Sequence, residues 1–240
     1  MIGRQSESQK LIENIQKGQH TLLLGEVGMG KTYLLKQLYS QLDKAIYVES
    51  LSPFKPTLLD IISVLHQNGV FIISGLEAEY LSWDELCKKL NRLNLKQLMN
   101  ALLQNLQGKG YVLLLDHLET ATPSMAKKVF HLMKDTTIIG AANKLKPSLK
   151  KLWWRFEPIE LLPLTKEEST KLLWSLISKD KISDEKLLEQ IVTNQANGNP
   201  LSICQLTDKV KRESKLTTES IRELTHQAGA KFIDLTPGFR

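Results

Sequence analysis

Eight residues near the start of the chain match the phosphate-binding pattern G-x-x-x-x-G-K-[ST]. They read Gly-Glu-Val-Gly-Met-Gly-Lys-Thr and run from Gly25 to Thr32. Such a loop predicts a cradle for nucleotide phosphates, because its glycines let successive backbone N–H groups face an anion at a helix N-terminus. The lysine reaches the β- and γ-phosphates, and the final hydroxyl ligates Mg²⁺. The residues predicted to contact nucleotide here are Glu26, Val27, Gly28, Met29, Gly30, Lys31, Thr32 and Tyr33.

The sequence around this loop supports the same interpretation. The run from Thr21 to Leu24 is rich in β-formers, and the stretch from Lys31 to Leu42 has apolar residues at helical spacing. A buried strand therefore leads into the loop and a helix follows it. This is the context that the motif requires, and it disfavours a glycine-rich turn that binds nothing.

A carboxylate follows a second apolar run. The run from Tyr111 to Leu115 ends in Asp116, as expected of a buried strand that delivers a metal-binding acid beside the phosphate loop. The alternative is that Asp116 caps a helix or forms a turn. With the loop present, Thr32 and Asp116 are the predicted ligands of Mg²⁺.

Two residues are candidates for the base that activates an attacking water. Many P-loop ATPases place a glutamate directly after the metal aspartate, whereas this chain has His117 there. A histidine accepts a proton near neutral pH but lacks a fixed negative charge, so hydrolysis is expected to be slow or to depend on Glu119. The alternatives for Glu119 are a hydrogen bond to a metal ligand or a structural salt bridge.

A polar amide ends the next strand-like run. Asn143 follows the run from Thr137 to Ala142, and an amide beside the γ-phosphate can hold the attacking water. The segment Asn143-Lys144-Leu145-Lys146 also partly matches the guanine-reading motif N-K-x-D. Because Lys146 stands where that motif needs its acid, an adenine nucleotide is favoured.

The order of the elements predicts an α/β fold with a parallel sheet between helices, followed by a small all-helical lid. The expected domains are a P-loop core at residues 1–163 and a lid with a C-terminal tail at 164–240. Between residues 51 and 107 the pattern is mostly helical and is interpreted as an insertion. The predicted strands are Thr21–Leu24, Ala45–Val48, Tyr111–Leu115, Thr137–Ala141 and Phe156–Leu161, and the predicted lid helices are Glu167–Ile177, Asp184–Gln195, Leu201–Val210 and Glu219–Gln227.

The composition is that of a globular protein, with 42% hydrophobic and 24% charged residues among 240. Its net charge of +6 suits an anionic partner, for which a nucleotide is sufficient. The two cysteines, Cys87 and Cys204, have no metal-ligand spacing and favour a reducing cytoplasmic setting. No apolar stretch reaches the ~18 residues of a membrane span, and no signal peptide is evident.

From Ile2 to about Val210 the chain resembles the AAA+ superfamily and its close relatives, the signal-transduction ATPases with numerous domains (STAND) and the archaeal-type ATPases. The resemblance implies an ATPase that uses ATP and Mg²⁺. It implies that Gly3 and Arg4 form a lip over the adenine, and that Asn143 is the sensor 1 residue. Arg155-Phe156, followed by Leu162-Pro163-Leu164, resembles the stretch that supplies an arginine finger to a neighbouring subunit.

The segment Gly198-Asn199-Pro200 resembles the lid signature G-x-P, which implies that Pro200 contacts the nucleotide. No sensor 2 arginine is evident, and His117 departs from the usual glutamate. Both departures favour a slow switch over a fast motor. The alternative for Arg155 is a surface cation beside Trp153 and Trp154.

Between Asn143 and Arg155 the chain is basic and aromatic, with Lys144, Lys146, Lys150, Lys151, Trp153 and Trp154. Such a stretch attracts a phosphate backbone, and its tryptophans can stack on bases. The alternative is a solvated helix face with core tryptophans.

These residues together predict an ATP-binding, slowly hydrolysing ATPase that acts as a nucleotide-gated switch through lid closure and self-association. ATP would bind in the cleft between core and lid. The expected partners are ATP or ADP, together with a further copy of the chain or a partner protein. The alternative is a DNA-associated AAA+ ATPase of transposition, repair or replication-loader type, which would add DNA as a partner.

Overall fold

A computed structural model describes residues 2–69, 82–144, 146–179, 182 and 184–212 of the chain. The described residues form two compact units. The first, the α/β unit, consists of Ser6–Glu26 and Lys31–Leu161. The second, the helical unit, consists of the described residues up to Gln5, of Val27–Gly30 and of those from Leu162 onward. The boundary at residue 163 stays a prediction.

A five-stranded parallel sheet forms the centre of the α/β unit, which confirms the predicted fold class. Its order is β2-β3-β4-β1-β5, and every pairing is parallel. Since the carboxyl ends of parallel strands lie at one edge, the residues that follow β1, β3 and β4 meet there. The strands are β1 (Thr21–Leu24), β2 (Ala45–Val48), β3 (Val112–Leu115), β4 (Thr137–Ala142) and β5 (Glu157–Glu160).

Helices surround this sheet. Two of them begin with capping boxes that satisfy their first N–H groups, Ser82 with Glu85 and Asn94 with Gln97. The predicted helical insertion is present as the third, fourth and fifth helices, and residues 70–81 lie outside the described chain. The helices are α1 (Gln5–Gln16), α2 (Lys31–Gln41), α3 (Phe54–Gln67), α4 (Trp83–Arg92), α5 (Leu95–Leu106), α6 (Pro123–Leu132) and α7 (Lys150–Trp153).

The core of the α/β unit is built on the strand that leads to Asp116. All four residues of β3 are buried, as its unbroken apolar sequence predicts for a central parallel strand. Gly140 of the adjacent β4 has no side chain where Leu118 packs, so that a Cβ there would overlap the leucine. Leu118 thereby anchors the turn that follows Asp116 to the sheet.

Three helices pack together in the helical unit: α8 (Lys166–Leu176), α9 (Glu185–Ala196) and α10 (Pro200–Arg212). Their buried faces carry apolar residues at helical spacing, including Leu173, Leu188, Val192, Ile203 and Leu206. The predicted helix Glu219–Gln227 and the predicted tail lie outside the described residues. Within the described part of the chain, every helix is too short or too polar to span a membrane.

Candidate nucleotide-binding site

The phosphate-binding loop connects the end of β1 to the start of α2. Gly28 and Gly30 have φ angles of 86° and 93°, which only glycine adopts easily. The Nζ of Lys31 donates hydrogen bonds of 2.7 Å to the carbonyls of Gly25 and of Glu26. Burial lowers the pKa of Lys31, while the negative charges of Glu119 and Asp116 raise it. The lysine, the aspartate and the glutamate predicted from sequence therefore lie within electrostatic reach of one another.

Asp116 follows β3 and is 1% exposed. Its Oδ1 accepts from the backbone N–H of His117 at 2.8 Å, and its Oδ2 accepts from the hydroxyl of Tyr47 at 3.1 Å. Burial raises the pKa of the Tyr47 phenol, and the charge of Asp116 raises it further. The phenol thus remains protonated near neutral pH and acts as a permanent donor that orients the carboxylate.

The backbone turns sharply at His117, which has a left-handed φ of 50°. A non-glycine residue there is uncommon, although histidine tolerates it better than most. The imidazole is half exposed, and its Nδ1 lies 3.4 Å from Oε1 of Glu119. The turn sends Leu118 into the core and directs Glu119 back toward the edge of the sheet.

Glu119 and Asn143 form a two-point contact. The side-chain amide of Asn143 donates to Oε1 of Glu119 at 3.0 Å, and the backbone N–H of Asn143 approaches Oε2 at 3.3 Å. The glutamate side chain is 14% exposed. Both carboxylate oxygens are engaged, yet each has a further lone pair with which to accept a proton. The structure therefore brings two of the candidate catalytic residues, Glu119 and Asn143, together.

The residues of this region fit ATP and Mg²⁺. The backbone N–H groups of Gly28, Met29 and Gly30 have no acceptor among the described residues, so they can bind phosphate oxygens. Each oxygen of Asp116 retains a lone pair that can bind a hard cation such as Mg²⁺. Thr32, at the start of α2, would be a second ligand of the same cation. When bound, the metal would neutralise charge on the phosphates.

Three further predicted residues belong to the helical unit. Arg4 is 3% exposed, and its Nη2 donates to the carbonyls of Leu162 at 2.7 Å and Met29 at 3.2 Å. Gly3 packs so closely against Leu164 that an added Cβ would lie 2.6 Å from it. Pro200 begins α10. Contact of these residues with adenine or phosphate stays a prediction.

Arg155 lies just before β5 and is exposed, with its guanidinium 4.9 Å from the ring of Phe130 on α6. Its role as an arginine finger also stays a prediction.

The two neighbouring tryptophans differ in exposure: Trp153 is buried in the core, whereas Trp154 is 78% exposed. The sequence pattern predicted that both tryptophans are either available to bases or in the core. In the structure the end of the short α7 buries one and exposes the other.

Two residues of this region were missed by the sequence reasoning. Tyr47 contacts Asp116 only because β2 is the neighbour of β3, and Tyr47 pairs with Leu114. Asn199 is the middle residue of the G-x-P signature, where the sequence predicts no role for it, and its side chain donates to the carbonyl of Val27 at 2.9 Å. Neither contact has a local sequence signal, since both depend on which segments pack side by side.

A family model described as an AAA domain matches residues 14–144. The chain belongs to this AAA domain family. The match covers the phosphate-binding loop, Asp116, Glu119 and Asn143. The AAA assignment and the parallel sheet together identify a P-loop ATPase domain, and they confirm the resemblance inferred from sequence.

Solved structures share this AAA fold. A Walker-type ATPase of Pyrococcus abyssi has a TM-score of 0.65 at 15% identity, over 95% of this chain and 71% of that one. The Holliday junction branch migration motor RuvB of Thermotoga maritima has a TM-score of 0.54 at 18% identity, over 93% and 69%. A STAND protein of Pyrococcus horikoshii with a tetratricopeptide repeat sensor has a TM-score of 0.56 at 16% identity, over 95% and 32%. No curated protein matched the sequence.

Proposed function

We propose that this AAA protein binds ATP, hydrolyses it slowly and acts as a nucleotide-gated switch through closure of its helical lid and self-association. The observation that carries the proposal is the two-point contact of Asn143 with Glu119. In the proposal, Asn143 both holds the candidate base Glu119 and contacts the γ-phosphate.

In the proposed reaction, water attacks the γ-phosphorus and the bond to the bridging oxygen of ADP breaks. Glu119 accepts the proton from the water, while Lys31 stabilises the negative charge of the β- and γ-phosphates. Asp116 and Thr32 would hold Mg²⁺.

Hydrolysis is slow in this proposal because of the residue that follows the metal-binding aspartate. The position directly after Asp116 carries His117, which has no fixed negative charge.

The switch arises because ATP and ADP would differ in their contact with Asn143. A γ-phosphate oxygen competes with Glu119 for the Asn143 amide, and only ATP has that phosphate. A ligand shifts a conformational equilibrium only by its differential affinity for the two states, and this contact supplies one. The likeness to a STAND protein supports the proposal.

Replacement of Glu119 tests the catalytic step. The Glu119→Gln protein is expected to bind ATP with unchanged affinity and to turn it over about 100-fold more slowly, the usual contribution of a general base. Single-turnover hydrolysis measures the rate, and Glu160→Gln, at an exposed position of β5, is the control. Unchanged turnover in Glu119→Gln would rule out this base.

Gel filtration with ATP or ADP tests the switch. A larger species with ATP alone, lost in Arg155→Ala, is the expected result. Equal affinity for the two nucleotides without a change in size would contradict the switch.

A second function is favoured by a surface of the α/β unit, which we call the Trp154 surface: Lys150, Lys151, Trp154 and Arg155. Trp154 is exposed, and the Nζ of Lys150 lies 5.2 Å from its ring centroid. An exposed indole among cations suits stacking on single-stranded DNA. Under this candidate the protein is a DNA-associated ATPase, and the likeness to RuvB supports it.

Fluorescence titration with single-stranded DNA separates the two functions. A DNA-associated ATPase should show turnover stimulated by DNA, affinity that falls steeply with salt, and weaker binding in Trp154→Ala. Absence of DNA binding at low salt would exclude this candidate. A loss of self-association in Trp154→Ala would assign the surface to subunit contact.

A further inference from the structure

Three consecutive carbonyls of the phosphate-binding loop accept hydrogen bonds from other residues of the helical unit, to which the tip of the loop also belongs. Val27 O accepts from the Asn199 side-chain amide at 2.9 Å, and Gly28 O accepts from the backbone N–H of Leu201 at 3.2 Å. Met29 O accepts from the Arg4 guanidinium at 3.2 Å. The tip of the loop, Val27–Gly30, is therefore held along its carbonyl side.

Holding a carbonyl determines where the next N–H points. In a trans peptide the C=O and the following N–H lie in one plane and point in opposite directions. The N–H groups of Gly28, Met29 and Gly30 consequently point away from Asn199, Leu201 and Arg4. In the described part of the chain none of these three N–H groups meets an acceptor.

We infer that Arg4 and Asn199 are positioning residues for phosphate binding. Their side chains bind backbone carbonyls of the loop tip, which leaves the backbone N–H groups of the tip pointing the other way, where they can bind a polyphosphate. The inference rests on the proposed binding of ATP at this loop. Its physical basis is preorganisation: a loop already held in its binding conformation loses less entropy when the ligand binds.

Asn199 suits this task because its amide has both a donor and an acceptor. Its Oδ1 accepts from the N–H groups of Leu201 at 3.0 Å and Ser202 at 3.2 Å, which caps α10. Its Nδ2 remains to donate to Val27. The packing is close, since a Cβ on Gly28 would lie 2.5 Å from Oδ1 of Asn199. A residue that only caps the helix needs no such donor.

The two roles of Asn199 are separable by substitution. In Asn199→Ser the hydroxyl still caps α10, because serine is as good an N-cap as asparagine, but it lacks the amide donor. Asn94→Ser is a matched control, since Asn94 caps α5 in the α/β unit. Binding of inorganic tripolyphosphate and of ATP is measured by calorimetry, and melting temperature is measured without ligand.

Asn199→Ser should bind both ligands three- to tenfold more weakly at an unchanged melting temperature, the effect of losing about one hydrogen bond. Asn94→Ser should bind them as the wild type does. Wild-type affinity in Asn199→Ser overturns the inference, whereas a wild-type protein that binds neither ligand overturns the proposed function itself.

A structural effect is distinguished by a second variant. If Asn199→Ser lowers the melting temperature, Asn199→Thr provides a second neutral cap without the amide donor. Weak binding at a restored melting temperature supports the inference. Restored binding in Asn199→Thr overturns it.

Discussion

At the scale of single residues, the candidate site contains two carboxylates with different surroundings. Asp116 is buried and receives hydrogen bonds from Tyr47 and from the backbone of His117. Glu119 is paired with Asn143 and remains partly accessible. A buried, oriented carboxylate suits a metal, whereas a partly accessible one suits proton transfer to and from water. The geometry thus supports a division of roles between two acids only three positions apart.

Tyr47→Phe removes the hydroxyl that orients Asp116. Residues that orient a metal ligand typically contribute 10- to 100-fold to metal affinity or activity. The Mg²⁺ concentration for half-maximal ATP turnover is therefore expected to rise about tenfold. Tyr39→Phe is the control, because its exposed ring lies 6.4 Å from the Tyr47 ring and Asp116 is not its partner. A metal dependence that is equal in both variants would show that the hydroxyl has no such role.

His117→Glu restores the acid that many P-loop ATPases carry at this position. If the site is slow because it lacks that charge, turnover should rise by about tenfold or more, since a positioned base contributes 10²- to 10⁴-fold. Steady-state phosphate release measures it. His117→Gln is the control, because glutamine is as long as glutamate but neutral, and it should not accelerate the reaction. A slower His117→Glu enzyme would point instead to repulsion between three clustered carboxylates.

At the scale of elements, two turns determine what the side chains contact. The left-handed turn at His117 is held by Leu118 against Gly140, and it is this turn that brings Glu119 to Asn143. The turn between α9 and α10 has Asn197 at φ 44° and Gly198 at φ 73°. Gly198 O accepts from the N–H of Leu164 at 2.8 Å, so the turn packs directly on the chain that enters α8. Each turn is anchored by close packing at a glycine, Gly140 for the first and Gly198 for the second, where an added Cβ would overlap its neighbour.

Gly198→Ala tests the close approach at the second turn. The new Cβ would overlap the carbonyl oxygen of Leu164. The positive φ at this position would also strain an alanine and so destabilise the folded protein. Gly108→Ala is a matched control, because Gly108 has a similar φ of 69° but nothing lies within 4 Å of its added Cβ. Gly108→Ala should lose about 1 kcal/mol of unfolding free energy, and Gly198→Ala about 1–3 kcal/mol more. Urea unfolding followed by tryptophan fluorescence compares them, and equal losses would contradict the packing.

At the scale of the whole molecule, the division into units does not follow the order of the sequence. The tip of the phosphate-binding loop belongs to the helical unit, although the rest of the loop belongs to the α/β unit. A ligand on the N–H side of the tip would contact a segment that Arg4 and Asn199 hold. We propose that nucleotide state influences the helical unit through this segment.

The free energy of unfolding should depend on the protonation state of His20. The neutral imidazole accepts a hydrogen bond at Nδ1 from the N–H of Ile138 at 3.1 Å. Burial lowers the pKa of His20, the charge of Arg155 lowers it further, and a hydrogen bond with the backbone of Met133 partly offsets them. Because the unfolded chain takes up this proton first, unfolding free energy should fall as pH drops below about 6.5, until the folded pKa is passed.

His20→Asn keeps a side-chain acceptor that does not titrate, and it should flatten that decline in unfolding free energy. Urea unfolding between pH 7 and pH 5 measures the difference. His131→Asn, at an exposed position of α6, is the control and should retain the wild-type slope. An unchanged slope in His20→Asn would show that another group is responsible.

Sequence alone determined the positions of all five strands to within one residue, together with the phosphate-binding loop, the acid after β3 and the amide after β4. These features are local, because apolar runs, glycines and strand-ending polar residues reflect the needs of neighbouring backbone. They sufficed to predict the α/β class and a P-loop ATPase.

Only the tertiary structure decided which of these residues meet. Sheet order brought Tyr47 to Asp116, a strained turn brought Glu119 to Asn143, and α7 exposed Trp154 while burying Trp153. The hold of Arg4 and Asn199 on the loop joins residues 25 and 172 positions apart. Such contacts depend on how whole helices and strands pack, because packing pairs the polar groups that it buries. The partners are far apart in the sequence, so no short segment carries a pattern that predicts them.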